Sequence, residues 1–226
     1  MLLPIENILT ADELKRINQL FGQAELLDGS ITAGYHSAPV KHNLQISEQS
    51  PFALEMADMV LAALERCPQF TSAALPRRIY PPLFNCYATG MSFGKHVDNA
   101  IRGHTNPLRT DLSVTLFLSE PEDYEGGELV IADNYGTHHI KLPAGDLVLY
   151  PAGSLHHVTP VVRGVRKACF FWLQSMIRDN AQRQLLYDLD QAIIGLHQQL
   201  PDSLANPELL SLAGCYHNLL RQWAEL

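Results

Sequence analysis

His156-His157-Val158-Thr159-Pro160-Val161-Val162-Arg163-Gly164-Val165-Arg166-Lys167-Ala168-Cys169-Phe170-Phe171-Trp172-Leu173 is the stretch on which the fold turns. Its valines, threonine and aromatics are side chains that fill a pleated surface, and Pro160 and Gly164 punctuate it. We read 156–162 as one strand, Arg163-Gly164 as a turn, and 167–177 as the strand that returns beside it. Upstream, similar short runs near 79–88, 111–118, 127–132, 137–142 and 146–150 are separated by Gly, Pro and Asp signals. Many short strands with such turns imply a sandwich or barrel, and a double-sheet jelly roll is the simplest candidate. No internal repeat is visible.

Both ends of the chain read as helical. Thr10 and Glu13 make a capping box, followed by Leu14, Ile17, Leu20 and Phe21 at helical spacing. Ser50-Pro51 supplies an N-cap and a first-turn proline for a helix to about Arg66, with Phe52, Met56, Val60 and Leu64 on one face. Leu185, Leu189, Ala192, Ile193, Leu196 and Leu200 mark a third helix. Asn206-Pro207 opens a fourth, with Leu209, Leu212, Ala213, Tyr216, Leu220 and Trp223 inward. The expected fold is mostly β with flanking helices (α+β): a jelly-roll core at 78–177, an N-terminal helical region at 1–77, and a C-terminal helical extension at 178–226. The helices would brace one sheet from outside. The C-terminal pair carries more apolar surface than one sheet face covers, which favours self-association into a homo-oligomer.

The 226 residues are 46% hydrophobic and 18% charged, enough for one sizeable core. A net charge of −8 argues against a nucleic-acid backbone or an anionic membrane as main partner, although a local basic cleft can hide inside an acidic total. The start, MLLPIENILTADELK, lacks the cationic n-region of a secretory signal, and no apolar run is long enough to span a bilayer. Cys67, Cys86, Cys169 and Cys215 form no Cys-x-x-Cys pair and read as free thiols of a reducing compartment. A cytoplasmic location is expected.

Two segments carry chemistry. His96-Val97-Asp98 places two donors on one side of an extended segment, because side chains alternate with period 2. Alone it means little: the composition yields roughly half a His-x-Asp by chance. The second segment, His156 to Arg166, offers a histidine in β-rich sequence and an arginine ten residues later that can enter the same barrel. Two histidines and a carboxylate suit a non-haem ferrous ion and leave three positions open. A 2-oxo acid can fill two and dioxygen the third. The far carboxylate of such a cosubstrate needs a fixed cation, for which a bidentate arginine is suited.

Phe84-Asn85-Cys86-Tyr87-Ala88-Thr89-Gly90, His96-Val97-Asp98-Asn99, Gly126-Gly127-Glu128-Leu129 and the His156 to Arg166 segment resemble the prolyl 4-hydroxylase-like branch of the 2-oxoglutarate dioxygenases. Within it the chain is most similar to the bacterial PKHD-type hydroxylases, the YbiX/PiuC group. The catalytic resemblance covers about 78–177, and a looser similarity covers the whole chain. It implies a double-stranded β-helix with His96, Asp98 and His156 on iron(II), and Arg166 on the C5 carboxylate of 2-oxoglutarate. It also implies that Tyr87 helps hold the cosubstrate and that L-ascorbate is bound. The implied reaction uses dioxygen to hydroxylate a primary substrate, a peptide, an amino acid or a small metabolite such as a siderophore, with succinate and carbon dioxide as coproducts. The main alternative is a non-catalytic cupin-like metal-binding protein, in which Arg166 would have no task.

Other residues weigh against these. His157 points opposite to His156, so at most one of the two ligates; the resemblance selects His156 through its His-x-Val pattern. His138 and His139 read as partly exposed. Arg102, Arg109 and His104 flank the expected mouth as substrate contacts, or else as ordinary surface groups. Gly126-Gly127 reads as a hairpin entry to the strand Glu128–Ile131, and Asp111 as a solvated carboxylate.

Overall fold

The computed structural model describes residues 1–34, 37–103, 105–200 and 205–226; His36 and His104 lie outside them. In chain order the strands are β1 (Leu3–Ile5), β2 (Leu26–Asp28), β3 (Lys41–His42), β4 (Leu44–Ile46), β5 (Pro76–Ile79), β6 (Leu83–Ala88), β7 (Ser92–His96), β8 (Ile101–Arg102), β9 (Leu108–Arg109), β10 (Leu112–Phe117), β11 (Tyr124–Gly126), β12 (Leu129–Asp133), β13 (Gly136–Ile140), β14 (Leu147–Pro151), β15 (Leu155–Val158) and β16 (Val161–Ser175). The helices are α1 (Ala11–Gln23), α2 (Pro51–Glu65), α3 (Pro68–Ala74), α4 (Asn180–Gln199) and α5 (Pro207–Trp223).

The larger sheet runs β1-β14-β10-β16-β6-β4-β2, with β5 and β11 also paired to β16. The smaller runs β13-β12-β15-β7-β3, and β8-β9 is a separate ribbon. Tyr87, Phe117, Val148 and Tyr150 of the larger sheet meet Leu129, Ile131, Ile140 and Val158 of the smaller, so the two sheets face each other across one apolar layer. This is the expected jelly roll, mostly antiparallel with flanking helices. The larger sheet's other face packs Phe84, Cys86, Leu112, Val114, Leu116, Cys169, Phe171 and Leu173 against Ile17, Leu20 and Phe21 of α1 and Met56 and Val60 of α2. Burial of each large side chain there contributes roughly 1.5–3 kcal/mol.

Local signals explain the helix starts. Thr10 and Glu13 form the reciprocal capping box, and the Asn206 side chain accepts from the Leu209 amide. Pro51 opens α2 as expected, but Ser50 makes no side-chain cap.

The structure departs from the sequence reading in four places. The break after β15 falls at Thr159-Pro160, since proline has no N–H to continue a ladder. Arg163-Gly164 is therefore not a turn: both residues lie inside β16, where Gly164 has φ +81°. The segment 1–77 is not only helical, because β2 and β4 extend the larger sheet and β3 edges the smaller. Third, α4 buries Arg183, Leu186 and Ile193, while Leu185 and Leu196 face outward. That face is set by α3 and α5: Leu186 packs with Leu75, Ile177, Tyr216 and Trp223, a small core beside the sheet. Finally, Gly126-Gly127 is not a hairpin. Both glycines have positive φ and carry the chain from β11 in the larger sheet to β12 in the smaller.

One irregularity aims the interior. Val161 packs in the layer between the sheets, and so does the side of β16 that carries Arg166. Residues five apart on a regular strand point to opposite faces. Opposite β11, Gly126 pairs with Val161 and Glu125 with Arg163, leaving Val162 as the extra, exposed residue of a bulge. The bulge reverses the phase of the strand. Gly164 beside it holds a left-handed backbone where a Cβ would sit 2.1 Å from the Asp123 carbonyl oxygen. Gly164→Ala combines left-handed strain of about 1–2 kcal/mol with overpacking of about 1–3 kcal/mol. Chemical denaturation should therefore show a loss of roughly 2–5 kcal/mol; a loss under about 0.5 kcal/mol would mean the bulge relaxes freely.

Candidate metal centre

β7 and β15 are neighbours in register, with His156 opposite His96. Their rings lie 4.2 Å apart between centroids. Asp98 follows two residues beyond the end of β7, so His-x-Asp spans the strand's last residue and the segment after it. One donor atom from each of the three residues lies within 4.8 Å of the others. His96 Nε2 is 3.9 Å from Asp98 Oδ1, and His156 Nε2 is 3.8 Å from Asp98 Oδ2.

The tautomers follow from the backbone. Nδ1 of His96 is 2.8 Å from the Gly94 carbonyl oxygen, and Nδ1 of His156 is 3.0 Å from that of Ser154. A carbonyl only accepts, so each Nδ1 carries the proton and donates it. Each Nε2 then presents a lone pair to the centre, the arrangement a metal-binding imidazole needs. Burial, then the neighbouring His156, pushes the His96 pKa down to about 4, so its ring is neutral at physiological pH. Asp98 Oδ2 accepts a 2.6 Å hydrogen bond from Ser113 Oγ on β10, which orients the carboxylate. His157 alternates outward as expected and lies on the far face of β15 from His156.

The same cavity holds Arg166, 2% exposed, on β16. Its guanidinium lies 5.3 Å from the ring of Tyr87, its partner on β6, and 5.3 Å from that of Phe117. Its Nε has no hydrogen-bond partner, and none of the ion pairs among the described residues includes it. A buried cation without a carboxylate is costly unless something anionic completes it. Burial lifts the Tyr87 phenol to about 12, leaving a neutral O–H donor beside that cation. Three converging neutral-or-anionic donors plus this arginine are a set that fits a ferrous ion with a dicarboxylate cosubstrate.

Besides Ser113, sequence reading missed two residues here. Tyr150 of β14 sits edge-on to His156 at 5.3 Å, its phenol raised well above the ordinary range by burial. Lys41 of β3 lines the cavity while 4% exposed, its Nζ donating to Gln45 Oε1 at 3.1 Å. Neither carries a motif; only the topology brings them in. Arg102 also lines the cavity, with its guanidinium 4.3 Å from the Trp172 ring. Arg109 does not. It is engaged with Asp111 at 2.6 Å and Glu225 at 2.9 Å. Asp111 is no solvated loop carboxylate, since it also accepts from the Ser175 amide and its side chain is 7% exposed. His138 and His139 are exposed and pair with Asp133 and Glu128 on the hairpin β12–β13.

Residues 82–174 match the 2OG-Fe(II) oxygenase superfamily, and residues 180–225 match the PKHD-type hydroxylase C-terminal domain. Over 228 residues the chain is 57% identical to a PKHD-type hydroxylase of Saccharophagus degradans, covering all of both chains. The chain belongs to the PKHD-type hydroxylases. Over 229 residues it is 55% identical to PKHD-type hydroxylase PiuC of Pseudomonas aeruginosa, again covering both chains completely. Solved structures share the fold: a Pseudomonas putida prolyl-4-hydroxylase gives a TM-score of 0.51 at 22% identity, over 77% of this chain and 92% of that one. A Trichoplax adhaerens prolyl hydroxylase, solved with a hypoxia-inducible-factor peptide, gives 0.55 at 16% identity, over 81% and 86%. As a PKHD-type hydroxylase the protein is an iron(II)- and 2-oxoglutarate-dependent dioxygenase.

The position of Arg109 makes a prediction. Arg109→Gln removes charge-assisted hydrogen bonds worth about 1.5–3 kcal/mol to stability. Iron(II) and 2-oxoglutarate titrations should be unchanged while the thermal midpoint falls. A stable variant with weakened cosubstrate binding would put Arg109 in the pocket instead.

Proposed function

We propose that His96, Asp98 and His156 hold the iron of this PKHD-type hydroxylase, and that Arg166 holds the C5 carboxylate of 2-oxoglutarate with help from Tyr87. The observation that carries the reading is the buried Arg166, lacking a carboxylate partner, in the cavity where the three donors converge. A cupin-like metal binder would bury that charge to no purpose.

When bound, the iron supplies the dioxygen chemistry that couples oxidative decarboxylation of 2-oxoglutarate to C–H hydroxylation, with succinate and carbon dioxide as coproducts. The protein's own residues do the rest. The backbone carbonyls of Gly94 and Ser154 fix the two imidazoles, and Ser113 fixes the carboxylate. Arg166 would hold the far carboxylate of the cosubstrate, in a site walled by Tyr87 and Phe117. The inter-sheet apolar layer excludes water, which strengthens each of these polar contacts. No side chain need act as a general base.

Dioxygen and a primary substrate are the partners, and L-ascorbate would keep the iron ferrous. We assign the dioxygenase domain to 78–177, with 1–77 and 178–226 as regions built onto it. The acidic total charge favours an enzyme acting on neither nucleic acid nor a membrane surface, and the four free cysteines favour a cytoplasmic one. No helix among the described residues is long and apolar enough to cross a membrane. Exposed Leu185, Ile194 and Leu196 on α4 are consistent with a homo-oligomer.

Two experiments test the assignments. His156→Ala should lose iron(II) binding and turnover together, whereas His157→Ala should keep both within a few-fold; the reverse pattern would place the wrong histidine on the metal. Arg166→Ala removes a buried charge partner, which typically costs about 2–5 kcal/mol, on the order of 30- to 4000-fold in affinity for 2-oxoglutarate. Iron(II) affinity should stay near that of the unmutated protein, and Arg166→Lys should recover only part of the loss. Paired anaerobic titrations of metal and cosubstrate decide it: unchanged 2-oxoglutarate binding would mean that another group anchors the pocket.

A further inference from the structure

We propose that Tyr150 is a further cosubstrate-binding residue: its phenol O–H donates to the 2-oxo acid end of 2-oxoglutarate, and Thr115 orients that phenol. The proposal rests on the iron and cosubstrate assignment just made and adds a contact at the end opposite Arg166.

Register is the first ground. The inward row of β10 is Ser113, Thr115 and Phe117, because Leu112, Val114 and Leu116 pack on the helix side of the sheet. Ser113 holds Asp98 at 2.6 Å, and the Phe117 ring lies 5.3 Å from the Arg166 guanidinium. The row therefore runs from the donor set to the arginine, over about 13 Å at about 3.3 Å per residue. Thr115 stands midway. A cosubstrate held by the metal at one end and by Arg166 at the other must cross this span. On β14, Tyr150 pairs with Ser113 and Val148 with Thr115, so the phenol starts at the metal end with Thr115 as its diagonal neighbour.

The division between two phenols is the second. Among the described residues lining the cavity, Tyr87 and Tyr150 are the tyrosines, and each stands at one end. Tyr87 pairs with Arg166 across β6 and β16, its ring 5.3 Å from the guanidinium. The Tyr150 ring is 5.3 Å from that of His156, at an interplanar angle of 68°. One phenol thus accompanies the cation proposed for the far carboxylate. The other accompanies a proposed metal ligand.

The third ground is the hydroxyl itself. Tyr150 is 3% exposed, and it packs with Val148, Leu129 and Val158 in the layer between the sheets. Packing alone would be met by a phenylalanine, as it is at Phe117 in the same layer. A phenol buried there is costly unless an acceptor takes its proton. Burial, then the charge of Asp98, holds the phenol in its neutral form, while buried Thr115 acts the opposite way, as a hydroxyl that donates to the phenol oxygen does. Thr115 therefore leaves the phenol's own proton to go elsewhere. Asp98 acts on the phenol through its charge, and its Oδ2 already accepts from Ser113. The acceptor that suits the remaining proton is the anionic 2-oxo acid group that the donor set would hold beside His156.

The test is an anaerobic titration of 2-oxoglutarate into iron(II)-loaded protein, read by affinity and by the visible charge-transfer band of the complex. Tyr150→Phe removes one oxygen. It should weaken 2-oxoglutarate on the order of 10- to 100-fold and leave iron(II) affinity unchanged. At saturation its band should also lie at shorter wavelength, because a hydrogen bond to the 2-oxo acid stabilises the orbital that accepts the electron. A tyrosine that only packs would not move the band. Arg166→Ala, acting at the other end, should weaken binding and leave the band in place. Thr115→Val should reproduce the Tyr150→Phe result to a lesser degree, and its result decides where Tyr150→Phe fails to fold. Unchanged 2-oxoglutarate affinity, a loss of affinity with the band unmoved, or an equal loss of iron(II) would each overturn the proposal. If the unmutated protein gives no band with 2-oxoglutarate, the cosubstrate assignment itself is refuted. If Arg166→Ala binds as tightly as the unmutated protein, the arginine assignment fails whatever Tyr150→Phe shows.

Discussion

The alternation of β16 is the constraint to which the rest of the structure answers. From Arg166 onward its odd residues, Cys169, Phe171 and Leu173, pack against the core shared with α1 and α2. Its even residues, Arg166, Ala168, Phe170 and Trp172, face the cavity. One strand therefore belongs to two environments of opposite chemistry. A slip by a single residue would turn a guanidinium into the helix-packed core and a phenylalanine into the pocket. The bulge at Val162 and the left-handed Gly164 set the phase in which this does not happen. The fold's largest sheet and one of its most buried charges thus depend on the same few backbone angles.

The centre is preorganised by small local devices and not by a rigid frame of its own. Each histidine donates to the carbonyl two residues before it, so the ring orientation is determined by the chain segment that carries the ring. Asp98 lies past the end of β7, where no ladder holds it, and the hydroxyl of Ser113 from the opposite sheet supplies the missing restraint. The two sheets consequently meet there through a polar contact, as they do again where Lys41 of β3 donates to Gln45 of β4. Because water is largely excluded there, the contact is stronger than it would be at the surface, and the cost of leaving any member unsatisfied rises with it.

How much of this was legible in the sequence depends on whether a feature is local. The His-x-Asp pair, the second histidine, the arginine ten residues on, the capping box at Thr10 and the Asn206-Pro207 start are all written within a few residues. Each lies where the structure has the corresponding element. The strands β2, β3 and β4 span two or three residues each and have no period to detect; they exist because neighbouring edges accept them. Lys41 was invisible for that reason: its meaning comes from β3 pairing with β7, across about fifty residues of chain. The exposed appearance of Asp111 failed similarly, since its partners Arg109, Ser175 and, through Arg109, Glu225 converge only after the C-terminal tail has docked. For α4 the apolar spacing was real but served two faces, and tertiary packing chose the narrower one.

Of these non-local residues, Lys41 lines the part of the cavity where the sequence motifs stop. The three candidate donors and Arg166 sit on sequence patterns compact enough to read by eye. The outer wall is assembled from β3, β8 and the far end of β16, elements that no motif links. A jelly roll permits this division because its long strand crosses the whole cavity while short edge strands contribute one side chain apiece. Changing an edge residue alters the wall without disturbing the ladder that carries the metal centre. The outer wall can therefore vary independently of the three candidate donors and Arg166, because its residues lie on elements that carry none of them except the far end of β16.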